Sequence, residues 1–82
     1  MTENKQARTL YRLELVWVIT DKRELWSNYL DQRTAEEKAH SLIADGMARE
    51  TEVFAVTEGH KTSIYHARLE RDGAITVWRN SQ

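Results

Sequence analysis

The segment HARLERDGAITVWR, His66 to Arg79, brings together an imidazole, a guanidinium and an indole. Spaced as they are along two strand-forming runs, His66, Arg68 and Trp78 can share one face of a sheet. Tryptophan and arginine are over-represented among the few side chains that dominate interface energetics, so the first chemistry these residues suggest is recognition. The same types serve single-stranded nucleic acid, where bases stack on aromatic rings and cations follow the phosphates. Lys61 and Arg79 would supply further cations for that purpose. Two features weigh against it: the aromatic doublet of an RNA-recognition sheet is missing, and the net charge is -1.

Other constellations are thinner. His60 and His66 with Glu58 are the nearest approach to a metal set, but six residues separate the histidines and His40 falls elsewhere. Ser63, His66 and Asp72 supply the letters of a hydrolytic triad without its local signature. There is no nucleophile elbow, glycine-rich phosphate loop or HExxH pattern. The chain also has no cysteine, which excludes a thiolate metal site, a cysteine nucleophile and a disulfide scaffold. We therefore expect no enzyme, no cofactor and no bound metal.

Charge is unevenly spread. Residues 1–30 carry five basic and four acidic side chains, residues 31–58 three and seven, and residues 59–82 four and two. The acidic middle collects Glu36, Glu37, Asp45, Glu50 and Glu52, a set that would suit a basic site on a larger protein if it formed one surface.

The elements that must position these groups are legible in outline. Eighty-two residues support one domain, expected over 9–80 behind a polar lead, 1–8, that should fray. No apolar run approaches the ~18 residues that cross a membrane, and the first residues lack a secretory pattern. The expected compartment is the cytoplasm.

From Leu10 to Thr20 the chain alternates as a strand, with Leu13, Leu15 and Trp17 on its apolar parity. A turn at DKRE leads to a second strand in LWSNYL. RTAEEKAHSLIADG reads as a helix with Thr34 as N-cap, Glu37 completing a capping box, and Glu36 and Glu37 at the positive end of the dipole. Ala35, Ala39, Leu42 and Ile43 form its apolar stripe, and Gly46 ends it. EVFAVTE, TSIYHARLE and AITVWRN supply three more strands. The fold class is α+β: a two-layer domain in the order β-β-α-β-β-β, with a mostly antiparallel sheet and one helix on one face.

Loop length decides which side chains meet, because a one-residue slip sends a whole set to the other face. A three-residue loop, Arg71-Asp72-Gly73, sets Leu69 opposite Ile75 and Ala67 opposite Val77. EGHK taken as a four-residue loop sets Phe54 opposite Tyr65 and Val56 opposite Ser63. The expected core is then Phe54, Val56, Tyr65, Ala67, Leu69, Ile75 and Val77 with Leu13, Leu15 and Trp17. The expected open face holds Val53, Ala55, Ile64, His66, Arg68, Trp78, Val16 and Val18. Of these, Trp78, His66, Arg68, Ile64, Val16 and Val18 form the expected binding surface. The sequence thus reads as a small accessory or inhibitory domain that binds protein through an open sheet face or an edge strand. A second copy is one such partner, and single-stranded nucleic acid at Trp78, His66 and Arg68 is the rival reading.

Overall fold

The computed structural model describes residues 8–80; all but the last residue of the expected lead, 1–8, lies outside them. Five strands and one helix follow in the expected order: β1 (Leu10–Trp17), β2 (Arg23–Tyr29), α1 (Gln32–Ala44), β3 (Ala48–Thr57), β4 (His60–Leu69) and β5 (Ile75–Arg79). The strands form one antiparallel-paired sheet in the order β2-β1-β3-β4-β5. Since β2 and β3 are both antiparallel to β1, they run parallel to each other, and α1 carries the chain from one to the other.

Helix ends are set by local chemistry. Asp31, not Thr34, is the N-cap: its carboxylate accepts from the Thr34 amide at 2.9 Å and from the Thr34 hydroxyl at 2.8 Å. Asp is a strong capping residue and lies three positions before Thr34, so the helix gains three residues at its start. Glu36 and Glu37 consequently fall beyond the first turn. At the other end the Gly46 amide donates to the Ile43 carbonyl and the Met47 amide to that of Leu42, both at 3.0 Å. This 5→2 and 6→1 pair needs a left-handed residue after the cap, which Gly46 supplies with φ 82°.

The stripe Ala35, Ala39, Leu42 and Ile43 is buried as the spacing predicts, packing on Leu13, Leu15, Ala48, Val53, Tyr65 and Ala67. The two alanines let helix and sheet approach closely enough for the Thr51 hydroxyl to donate to the Ala39 carbonyl at 3.2 Å. At the β2 side Trp17 and Trp26 meet edge to face, 6.2 Å between centroids.

The last hairpin has the register that the three-residue loop requires: Leu69 faces Ile75 and Ala67 faces Val77. The Glu70 amide donates to the Ala74 carbonyl at 2.8 Å across the loop, and Gly73 takes φ 92°.

The hairpin before it differs. Thr57 pairs with His60, so the loop is the two residues Glu58 and Gly59, both left-handed, rather than four. A bulge then inserts Ile64, so that Phe54 faces Ser63 but Val53 faces Tyr65. The faces of β3 are thereby exchanged relative to expectation: Val53 is fully buried against the helix, while Phe54 and Val56 lie on the open face. The physical reason is charge. Without the bulge, continuing the loop register would set Tyr65 opposite Glu52 and put a carboxylate into the core; one extra residue restores Val53 to that place. Ile64 itself is 8% exposed and belongs to the core cluster, so it leaves the expected binding surface.

Exchanged faces make a measurable difference. Val53→Asn would strand an amide in the core at a cost of roughly 2–7 kcal/mol, comparable with the whole stability of a domain this size. Phe54→Asn, on the open face, should leave the fold intact. Urea unfolding followed by circular dichroism should show the first variant unfolded or nearly so and the second cooperative.

Candidate functional site

The face turned away from α1 carries, strand by strand, Arg23, Leu25 and Asn28; Leu10, Arg12, Glu14 and Val16; Glu50, Glu52, Phe54 and Val56; Lys61, Ser63, His66 and Arg68; and Thr76 and Trp78. Its two halves differ in character.

The half over β2, β1 and β3 is a charge lattice. Glu14, whose side chain is 10% exposed, accepts from Arg12 at 2.7 Å, from Arg23 at 2.9 Å and from Lys61 at 3.2 Å. Arg23 reaches on to Glu52 at 2.5 Å, and Glu52 accepts from the Ser63 hydroxyl at 2.6 Å. Burial pushes the Glu14 carboxyl up, but the three cationic donors outweigh it and hold it at about 2. Val16, flanked across the strands by Arg23 and Glu50, is buried on the same face. Lys61 also lies over the Phe54 ring, 4.3 Å from its centroid.

The other half, over β4 and β5, is a shallow groove lined by Glu52, Ser63, His66, Arg68, Thr76 and Trp78. His66 and Trp78 are directly paired, as are Arg68 and Thr76. His66 Nε2 lies 2.6 Å from Glu50 Oε2, which fixes the imidazole beside the indole. Trp78 is 53% exposed, and Arg68 lies 3.4 Å from the Glu70 carboxylate. Thr76 is the smaller of the two β5 side chains that line the groove.

Three of the six expected surface residues, Trp78, His66 and Arg68, therefore line one groove. Val16 shares their face but is buried at the far side, and Ile64 is core. Val18 lies past the end of β1 in the turn, exposed, its amide bonded to the Met47 carbonyl at 3.0 Å. The acidic set does not form one surface. Glu36, Glu37 and Asp45 belong to α1 and its C-cap, whereas Glu50 and Glu52 are on the opposite face of the sheet and already bonded. Ser63, His66 and Asp72 do not form a triad: Ser63 and His66 share the groove but bond to Glu52 and Glu50, and Asp72 accepts from the Ala74 amide at 3.0 Å in its own loop. His60 pairs with Thr57 at the β3–β4 turn and helps line a cleft with Tyr11 and Gln32 on the helix side, away from His66. No group of three or more metal-ligating side chains gathers among the described residues.

The charge lattice escaped the sequence reading. Its signal was present: Glu50 and Glu52 share parity with Phe54 and Val56, which marks that parity as the wetter one. In comparisons of the chain with protein-family models, with curated proteins and with solved structures, no match was found.

Glu14 gives the fold a defined acid sensitivity. Its folded-state value is lowered from 4.5 to about 2, so the stability it contributes is present above the unfolded value and is lost as pH falls from about 4.5 towards 2. With the cations half exposed and screened, that contribution is about 1–2 kcal/mol. Urea midpoints measured between pH 5 and pH 2 should fall less steeply for Glu14→Gln than for the wild type.

Proposed function

We propose that the chain is a small non-enzymatic binding domain, of the accessory or inhibitory kind, that takes an extended segment of a protein partner along the free edge of β5, with Trp78 as the side-chain anchor beside it. The observation that carries this reading is the difference between the two edges of the sheet. The β2 edge is interrupted by a bulge at Trp26 and begins with Arg23 and Glu24, devices that discourage pairing. The β5 edge is regular, without bulge, proline or lysine, and is uncharged from Ile75 to Trp78.

Which backbone groups of β5 are free follows from the ladder. The Glu70 amide bonds to Ala74 and the Asn80 amide to Ile64, which makes Glu70–Ala74 and Ile64–Asn80 hydrogen-bonded pairs. Such pairs alternate along an antiparallel ladder. Thr76 and Trp78 therefore use their backbone groups on β4, while Ile75, Val77 and Arg79 direct their N–H and C=O outwards. Three consecutive outward pairs are the template on which an added strand is built, and alternate side chains of that strand meet the Trp78 groove on one face and Ile75 and Val77 on the other.

The nucleic-acid reading draws on the same face, where Trp78 is exposed to stacking while Phe54 is half-buried with Lys61 over its ring. It is supported less, because Arg12, Arg23 and Lys61 are committed to Glu14 and Glu52 and leave little charge for phosphates.

Peptides selected from a displayed random library on the immobilised protein provide the test. Bound ligands are expected to shift the amide resonances of Ile75, Val77 and Arg79 and the Trp78 indole. Val77→Pro should weaken them at least tenfold while preserving the fold, since the proline removes only an outward donor. Ligands that shift β2 or the helix instead, or that bind Val77→Pro as well as the wild type, overturn the reading. Mixed oligonucleotides at low salt should leave the Trp78 resonance unmoved.

A further inference from the structure

We infer that the strand added at the β5 edge is β5 of a second copy, paired antiparallel about a two-fold axis at Val77. This rests on the edge-docking reading above and specifies its occupant.

The register is fixed by the ladder. Only Ile75, Val77 and Arg79 present outward backbone groups, so each must meet an outward residue of the other copy. The longest ladder that satisfies this sets Val77 opposite Val77 of the second copy and Ile75 opposite its Arg79. Three hydrogen-bonded pairs, two of them equivalent by symmetry, give six bonds between chains. Sliding by two residues loses a pair, and sliding by one leaves outward groups facing inward ones.

That one register also matches the side chains. On the open face it puts Trp78 of the second copy opposite Thr76, in the non-hydrogen-bonded position where side chains come closest. Thr76 lines the groove between Arg68, its partner on β4, and Trp78. The large indole meets the small hydroxyl, and the half-exposed Arg68 can extend across Thr76 to the indole face. On the helix face it joins Val77 to its equivalent and sets Ile75 against the stem of Arg79. Ile75 is half-buried against the core, while Val77 is 39% exposed and Leu69 38% exposed beside it.

Charge and space allow it. A net charge of -1 gives two copies little long-range repulsion. Each Arg79 is already neutralised by its own Glu36 at 3.1 Å, so bringing two of them to one seam adds no unpaired cation. A two-fold axis normal to the sheet puts both helices on the same side. With each α1 centred near β3, spacing of ~4.8 Å per strand leaves the two axes roughly 24 Å apart, twice the thickness of a helix. The area covered by one five-residue strand and its flanking side chains is below the ~800 Å² per partner of a stable interface. The dimer is therefore a reversible one, with dissociation in the micromolar range or weaker.

Because the chain has no cysteine, single cysteines report the register. In a glutathione redox buffer Val77→Cys should form a disulfide-linked dimer, as its Cα atoms would lie within bridging distance. Thr76→Cys and Trp78→Cys should stay monomeric, since each faces a different residue. By sedimentation equilibrium the wild type should rise from 9.6 kDa towards twice that mass with concentration, and Val77→Pro should stay at 9.6 kDa with an unchanged circular dichroism spectrum. A wild type that remains monomeric up to about 1 mM overturns self-pairing. If selected peptides still shift Ile75, Val77 and Arg79 in that case, edge docking stands with another occupant. If Val77→Pro dimerises like the wild type, or Thr76→Cys links as readily as Val77→Cys, the proposed seam is wrong.

Discussion

One helix about 10 Å across has to serve a sheet of five strands spaced ~4.8 Å apart, which is more than 20 Å wide. The arrangement of the rest of the molecule follows from that mismatch. Centred near β3, α1 buries the middle of the sheet with a stripe containing two alanines, so the helix lies close but covers no more width than its own body. Towards β2 the shortfall is met by aromatic bulk, where Trp17, Trp26 and Tyr29 pack against the core from the side and Lys38 lies over Trp26. Towards β5 nothing comparable fills in. Leu69, Ile75 and Val77 keep the parity of core residues, yet Leu69 and Val77 stay over a third exposed and a cleft separates Val77 from α1.

The opposite face solves its exposure with charge instead of a second layer. Three cations converge on Glu14, and one of them, Arg23, bridges to Glu52 and pairs across the strands with buried Val16. A lattice of this kind makes a poor docking surface, because a partner would have to break bonds that are already made before forming its own. The half of the face over β4 and β5 is different, since its contacts are pairwise, His66 to Glu50, Ser63 to Glu52 and Arg68 to Glu70, and the indole stands clear. The uncommitted part of this face is thus confined to one side of the molecule by what the charges elsewhere have already paired with.

The element order, the helix stripe and the last hairpin could be read from the residues because each rests on a local rule. Leucine and alanine recur at helical spacing, glycine follows the helix, and Leu69, Ile75, Ala67 and Val77 agree on only one loop length. The third strand was opaque for a definite reason. Val53, Phe54, Ala55 and Val56 are apolar on both parities, so periodicity does not choose between faces, and size alone misleads by favouring Phe54 for the core. Two acidic residues upstream, Glu50 and Glu52, carry the deciding information, and a bulge at Ile64 executes it. The site followed suit: His66, Arg68 and Trp78 were legible because they lie in the well-specified hairpin. The lattice around Glu14 was not, as it joins residues 47 positions apart whose pairing depends on the strand order.

Position outside the helix also has a consequence for motion. β5 is held by one ladder to β4, a ring contact between Arg79 and Tyr65, and the Arg79–Glu36 bond that ties its far end to α1. Strands supported on one side only open at lower free energy than those between two neighbours. The last hairpin is therefore the part of the domain with the most to gain in rigidity, and occupancy of its edge would be felt through Glu36 by the first turns of the helix. Binding and local order would then rise together, so that a strand supplied from outside completes a sheet that the chain by itself leaves loosely hemmed.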